Sequence, residues 1–269
     1  MGKASSDILV TGSRERISAP PGADWWAERL GARIVPRSNF SLAALAEAHG
    51  ARLVVVLEAD RAILHVPAEG IVYFYHPGTA RRRINSVRNG LGDPMVDAMG
   101  LTVGDRVLDC TLGRGTDAII ASFVVGAEGG LVGVESIPVL AAFSEYGLKI
   151  YDTGDAAIND ALRRIEVVAA DSADYLRAAA SRSFDVVYFD PLFHRPVEES
   201  SAMAPLRALA DPRPLDPESL AEARRVASRV VVVKQRRGTP MWETLPPDSM
   251  VGSRKSRLEY GVFSPLPAD

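Results

Sequence analysis

Cysteine is nearly missing from this 269-residue chain: Cys110 stands alone. An intramolecular disulfide and a thiolate-rich metal site are thereby excluded, and a reducing compartment fits. Its expected role is that of a small buried apolar side chain. Histidine is scarce as well, with four scattered residues, so no metal-ligand spacing is visible and no metal is expected. A basic excess is also lacking, since 31 Lys and Arg stand against 34 Asp and Glu, for a formal charge of −3. That balance excludes a uniform electrostatic coat for nucleic acid and leaves only local patches. No apolar run reaches the roughly 18 residues of a membrane span, and the opening MGKASSDILV lacks the apolar stretch of a secretory signal. A cytoplasmic protein without membrane contact is expected. Internal repeats and low-complexity tails are missing too.

What is present is apolar sequence in short, regularly spaced pieces, enough for one large domain or a medium one with a small one. In the front part, Asp7 to Thr11, Leu53 to Leu57 and Gly70 to Phe74 read as strands, and Asp24 to Leu30 and Leu42 to Ala48 as helices, the second after a Ser41 cap. This predicts a small α/β lobe over residues 1–75. An Arg-rich connector follows over 76–100, with Arg81, Arg82, Arg83 and Arg88 in its first half and a short helix from Pro94 to Met99 in its second. From 101 onward strand, turn and helix alternate. Strands are predicted at Arg106 to Cys110, Gly130 to Glu135, Ile165 to Ala169, Phe184 to Phe189 and Arg229 to Val233. Helices are predicted at Thr116 to Val125, Pro138 to Ile150, Ala173 to Ala180 and Pro217 to Ala227. Strands so continuously apolar suit a parallel sheet covered on both faces, and the alternation predicts a doubly wound α/β sheet over 101–269 with its ligand at the carboxyl ends of the strands.

Those ends carry a pattern. RVLDC runs into TLGRGTDA, placing Gly113 and Gly115 in the turn before a helix, where backbone N–H groups are unpaired. Taken alone this is a weak signal, equally an ordinary tight turn. The second strand ends in Glu135, suited to ribose hydroxyls or to a helix N-terminus. The third ends before Asp171, a helix cap or an acceptor for an adenine amine, and the fourth ends in Asp190. Four carboxylates aimed into one crevice repel one another unless a polar ligand separates and satisfies them. A dinucleotide site is the competing reading, but the third glycine of G-x-G-x-x-G is replaced by Ala118, and such a site gives no reason for Asp190-Pro191-Leu192-Phe193.

The turn, the acids and this last motif together resemble the class I S-adenosylmethionine-dependent methyltransferases. Asp190-Pro191-Leu192-Phe193 is similar to the [DNS]-P-P-[FY] signature of enzymes that methylate exocyclic base amines, with Leu192 departing at the third place. VLDCTLGRGTDA, YFDPLF and LDPESLAEARRVASRVVVVKQ, across roughly residues 92 to 264, resemble the small-subunit ribosomal RNA guanine-N2 methyltransferase family of the RsmJ type. The front lobe departs from it.

The resemblance implies a Rossmann-like methyltransferase sheet and S-adenosyl-L-methionine as cofactor. The Asp109/Gly113/Gly115 turn would hold its methionine part, Glu135 the ribose and Asp171 the adenine, with Thr111, Arg114, Thr116, Asp117, Ser136, Ser172 and Asp190 completing the set. Asp190 and the Pro191 carbonyl would hold the target amine, and Phe193 would stack on the base. Ribosomal RNA, free or in the small subunit, is the implied partner, with Arg81, Arg82, Arg83, Arg88, His194, Arg195, Lys234, Arg236 and Arg237 as candidate contacts, and Arg254, Lys255 and Arg257 as a further basic cluster. Methylation of adenine N6 or a smaller amine, or a non-catalytic ribosome-assembly factor that keeps the cofactor pocket, are the alternatives.

Overall fold

The computed structural model describes residues 7–13, 19–191, 211–253 and 256–267. The front part folds as β1 (Ile8–Gly12), α1 (Ala23–Leu30), β2 (Arg33–Ile34), α2 (Leu42–Ala48), β3 (Leu53–Leu57), β4 (Ala62–Val66) and β5 (Ile71–Phe74). Its five strands form one sheet in the order β2-β1-β3-β4-β5, parallel through the first three and antiparallel through the rest. In the Arg-rich stretch the expected helix is present as α4 (Pro94–Met99), and the first half, expected as a connector, is helical as well, as α3 (Ala80–Arg88). Ala80 and Ile84 of α3 and Met95, Ala98 and Met99 of α4 are buried in the main core. Asp93 caps α4 by accepting from the Met95 and Val96 N–H groups, and Pro94 supplies a preset φ at the first turn.

The second sheet is built from β6 (Arg106–Asp109), β7 (Gly130–Glu135), β8 (Ile165–Ala169), β9 (Phe184–Phe189), β10 (Ala227–Arg236), β11 (Ser249–Val251) and β12 (Leu258–Phe263). Their order is β11-β12-β10-β9-β6-β7-β8; the run from β10 to β8 is parallel, β12 is antiparallel to β10, and β11 is antiparallel to β12. The connecting helices are α5 (Thr116–Val125), α6 (Pro138–Ile150), α7 (Ala156–Arg163), α8 (Ser172–Ala178), α9 (Pro217–Val226) and α10 (Met241–Thr244). Strand order reverses between β6 and β9, which opens a crevice at their carboxyl ends.

Because side chains alternate along a strand, this sheet has two cores. Leu108, Val187, Phe189, Val231 and Val233 face α8 and α9 on one side. Val107, Val186, Tyr188, Val232 and Tyr260 face α3, α4 and α5 on the other. The second face becomes polar toward its carboxyl end. Asp109 pairs in register with Tyr188, and Tyr260 with Lys234, so a row of polar groups crosses four strands beside the crevice.

One face of the front sheet packs on α2 in a small cluster of Leu9, Leu45, Ala46, Val54 and Val56, and its other face is shared with α6. Val10, Trp26, Val55, Leu57 and Tyr73 share one cluster with Val139, Leu140, Ala142 and Phe143 of α6. Trp26 lies 4.7 Å from Phe143, ring centre to ring centre, at a tilted angle. Gly147 on α6 takes the ring of Tyr75: a Cβ built there would stand 2.0 Å from Tyr75 Cγ. The Gly147→Ala substitution is therefore expected to destabilise the protein by about 2 kcal/mol. Displacing a packed ring costs more than the roughly 1 kcal/mol that alanine gains over glycine in a helix. Thermal melting should show a drop of about 4 to 8 °C, and an unchanged melting temperature would refute the contact.

Candidate active site

At the switch point lies a cleft of about 1210 Å³. Asp109, Thr111, Gly113, Arg114, Thr116, Asp117, Glu135, Ser136, Asp171, Ser172, Asp190 and Pro191 line it, as do Arg82, Arg83 and Lys234. The first wall is the β6–α5 turn. Buried Asp109 accepts from the Thr111 N–H at 2.9 Å and the Thr111 hydroxyl at 3.3 Å, and that hydroxyl accepts from the Asp190 N–H at 2.6 Å. One threonine thus links the end of β6 to the end of β9. Burial pushes the Asp109 carboxyl up to about 7 against the Thr111 N–H, with the Asp117 and Asp190 charges adding to the rise.

Gly113 has φ +49°, and a Cβ built on it would meet only the Thr111 carbonyl oxygen, at 3.9 Å, so its surface stays open. Gly115, expected beside it in the site, does not line the cleft. With φ +70° it caps α5, and a Cβ there would only touch the side chains of Leu112 and Leu148 at van der Waals distance; what calls for glycine is the left-handed turn of the chain.

Glu135 stands at the end of β7, its carboxylate accepting from the Gly113 N–H at 3.1 Å and the Ile137 N–H at 2.9 Å. Burial pushes its pKa up against those two bonds. Asp171 resolves the choice left open by its sequence only in part. Oδ1 caps α8 through the Ala173 and Asp174 N–H groups, while Oδ2 accepts from Arg213 at 2.5 Å. Arg213, then the cap bonds, hold its carboxyl below the usual range. Sequence reading missed Arg213 and Asp211, which flank the cleft about 42 residues beyond Asp171 with no motif to mark them.

The fourth wall corrects two expected RNA contacts. Lys234 sits in β10, its side chain 12 % exposed, with Nζ 2.8 Å from Asp117 Oδ2 and 2.7 Å from Asp190 Oδ2. It is an internal counter-ion. Arg83 points inward from α3, bonded to both Asp93 oxygens at 2.7 and 2.8 Å and to Asp117. Asp117 also accepts from the Tyr188 hydroxyl at 2.8 Å. Asp117, expected among the cofactor-binding residues, is thus the hub of a buried network. Burial opposes its charge, but Lys234 and Arg83 outweigh that and hold its pKa well below the usual range. Tyr188 precedes Asp190 by two residues where β9 runs out into the cleft, and the two-residue period of a strand is the signal that finds it.

Among the remaining basic candidates, Arg81 and Arg82 are exposed on α3, and Arg81 donates to the Thr153 carbonyl. Arg88 pairs with Asp155, and Arg237 with Glu259 at 3.2 Å. Arg236 lies at the end of β10. None of Arg81, Arg88, Arg236 and Arg237 lines the cleft. Leu192, Phe193, His194, Arg195, Arg254 and Lys255 lie outside the described residues.

The family model described as "Putative SAM-dependent methyltransferase" matches residues 40–263. This chain belongs to the S-adenosylmethionine-dependent methyltransferases. The methyltransferase is 33 % identical over 211 residues to ribosomal RNA small subunit methyltransferase J of Laribacter hongkongensis, covering 76 % of this chain and 72 % of that protein. It is 42 % identical over 200 residues to the uncharacterized protein YpiP of Bacillus subtilis, covering 74 % and 77 %. Its fold is that of the SAM-dependent methyltransferase NGO1261 of Neisseria gonorrhoeae, with a TM-score of 0.63 at 19 % identity over 98 % of this chain and 97 % of that one. The cofactor is S-adenosylmethionine, and the cleft fits it. Its buried acids suit a ligand that carries a sulfonium, an ammonium and a ribose diol, and Gly113 leaves the backbone open to close approach. Among the described residues no helix is long and apolar enough to cross a membrane.

Proposed function

We propose that this methyltransferase methylates an exocyclic base amine of ribosomal RNA, guanine N2 of the small subunit first among them. The observation that carries the reading is Asp190-Pro191 at the end of β9, on the cleft wall beside the acids Asp109 and Asp117. Asp109 and the open Gly113 turn would hold the methionine part of the cofactor, Glu135 the ribose and Asp171 the adenine. S-adenosylmethionine supplies an electrophilic methyl carbon bonded to a sulfonium.

The protein's task is to make a poor nucleophile usable. An exocyclic amine delocalises its lone pair into the base. Accepting its two N–H bonds on the Asp190 carboxylate and the Pro191 carbonyl localises that lone pair toward the methyl group and stabilises the positive charge growing on nitrogen. The nitrogen–carbon bond forms as the sulfur–carbon bond breaks, and the acidic ammonium product then gives its proton to water. Arg81 and Arg82, exposed on α3 with Arg82 at the cleft edge, suit RNA phosphate. The likeness to ribosomal RNA small subunit methyltransferase J supports the substrate.

Small-subunit RNA and intact subunits from a strain lacking the enzyme, incubated with protein and methyl-labelled S-adenosylmethionine and digested to nucleosides, should yield labelled N2-methylguanosine by mass spectrometry. Label in N6-methyladenosine, or none in either preparation, would sink the guanine assignment.

A further inference from the structure

Behind Asp190 lies a chain of charges that the reaction as described leaves unused. Five elements contribute to it: Asp93 before α4, Arg83 on α3, Asp117 on α5, Lys234 on β10 and Asp190 after β9. Lys234 is its pivot, with one ammonium bonded to an oxygen of each of two carboxylates. Asp117 in turn cannot swing away, because Arg83 and the Tyr188 hydroxyl hold it from two sides. Asp190 Oδ2 is thereby occupied, and Oδ1 has no hydrogen-bond partner among the described residues.

We propose that Lys234 is the positioning residue of Asp190, fixing Oδ2 so that Oδ1 is presented to the target amine as a permanent acceptor. This rests on the reading that Asp190 receives that amine. An RNA contact is a poor description of Lys234, since a phosphate reaching its nearly buried ammonium would have to approach two carboxylates that already bind it. A purely structural ion pair describes it poorly as well. Asp117 already has Arg83 as partner, and among the described residues the three acids Asp93, Asp117 and Asp190 share two cations, Arg83 and Lys234. The surplus negative charge falls at Asp190, the end of the chain that opens on the cleft, where nitrogen gains positive charge during transfer. A lysine suits the post because its ammonium is compact and its three donors can be shared between acids, which the flat fork of arginine does less well.

The charged groups around Asp190 make the test specific. Asp109 from β6, Asp117 and Arg83 from α5 and α3, and Lys234 from β10 face it. Burial and Asp117 push its carboxyl up, while Lys234 pulls it down. In the Lys234→Met variant the Asp190 resonance, followed by carbon NMR in aspartate-labelled protein without RNA and assigned through Asp190→Asn, should titrate about one pH unit or more above wild type. Single-turnover methyl transfer should fall with the protonated fraction of Asp190, about tenfold one pH unit below the variant's titration midpoint, and recover as pH rises above it, with the KM for RNA and the Kd for S-adenosylmethionine little changed. In the Asp190→Asn background the same substitution should cost no further rate. Should Lys234→Met fold poorly, the charge-balanced pair Lys234→Met with Asp117→Asn should show the same direction with a smaller shift.

An unmoved Asp190 titration, a rate loss that persists in the Asp190→Asn background, or a loss confined to the KM for RNA would overturn the proposal. Should wild type methylate no RNA, the base-amine reading falls alone, and the NMR titration still decides whether Lys234 governs Asp190.

Discussion

Replacing Asp190 by alanine lowers methyl transfer by about 10³, the loss typical when a preorganised group that stabilises transition-state charge is removed, while S-adenosylmethionine still binds within a few-fold of its wild-type affinity. The asymmetry follows from the geometry. Asp190 reaches Lys234 and the cleft from the end of β9, whereas Asp109, Glu135 and Asp171 stand at the ends of the three strands on its other side. The target amine loses its acceptor and must attack with its lone pair still delocalised. Truncation also leaves the Lys234 ammonium bonded to Asp117 alone, close to where positive charge grows. Single-turnover transfer of tritiated methyl, paired with calorimetric titration of the cofactor, checks both halves. Equal transfer by wild type and variant removes Asp190 from the chemistry.

The Asp109→Asn variant is expected to be more stable than wild type at pH 8 and a poorer binder of cofactor. Burial, the largest influence on Asp109, pushes its carboxyl up to about 7, whereas an unfolded aspartate titrates at about 3.9. The folded state therefore keeps a proton that the unfolded state has released. Its stabilising contribution is complete below about pH 4 and is lost as pH rises through about 7. At pH 8 the folded protein carries a buried anion that only a cationic or hydrogen-donating ligand relieves. Asparagine removes that anion and keeps an oxygen for the Thr111 N–H. Melting should show a stability gain of up to a few kcal/mol at pH 8 that shrinks steadily as pH falls toward 4. Affinity for S-adenosylmethionine should fall about 10- to 100-fold, the worth of a hydrogen bond to a charged group. A variant that melts no higher than wild type at pH 8, or binds cofactor equally well, would contradict this account.

Much of the central sheet was legible in the sequence because parallel strands covered on both faces are written as unbroken apolar runs; the expected ranges for β7, β8 and β9 match the structure. Helix α3 escaped because ARRRINSVR buries only Ala80 and Ile84, so its sequence looks like a charged linker. Strands β11 and β12 escaped for a different reason. Gly261 in β12 leaves room for the Trp242 ring, where a Cβ would stand 2.8 Å away, and a glycine inside a short strand weakens the pattern. The acids of the site were readable one at a time, since each ends a strand. Their partners were not: Arg83 meets an acid 34 positions away and Lys234 one 117 positions away, distances that periodicity does not span. A basic residue in sequence therefore reads as a solvent or RNA contact until the fold shows which carboxylate neutralises it.

Helix α6 joins the two sheets through one shared core. Its first turn follows directly on Glu135, whose carboxylate binds the Ile137 N–H. Its outward side carries Val139, Leu140, Ala142 and Phe143 under the front sheet, and Gly147 under Tyr75. Severing the chain near residue 75 would leave that side bare, and with it the helix that follows Glu135. The front part thus supports from behind the helix whose Leu140 lines the cleft. An exchange of front lobes between relatives should respect the side chains of α6 as strictly as any residue that meets the cofactor.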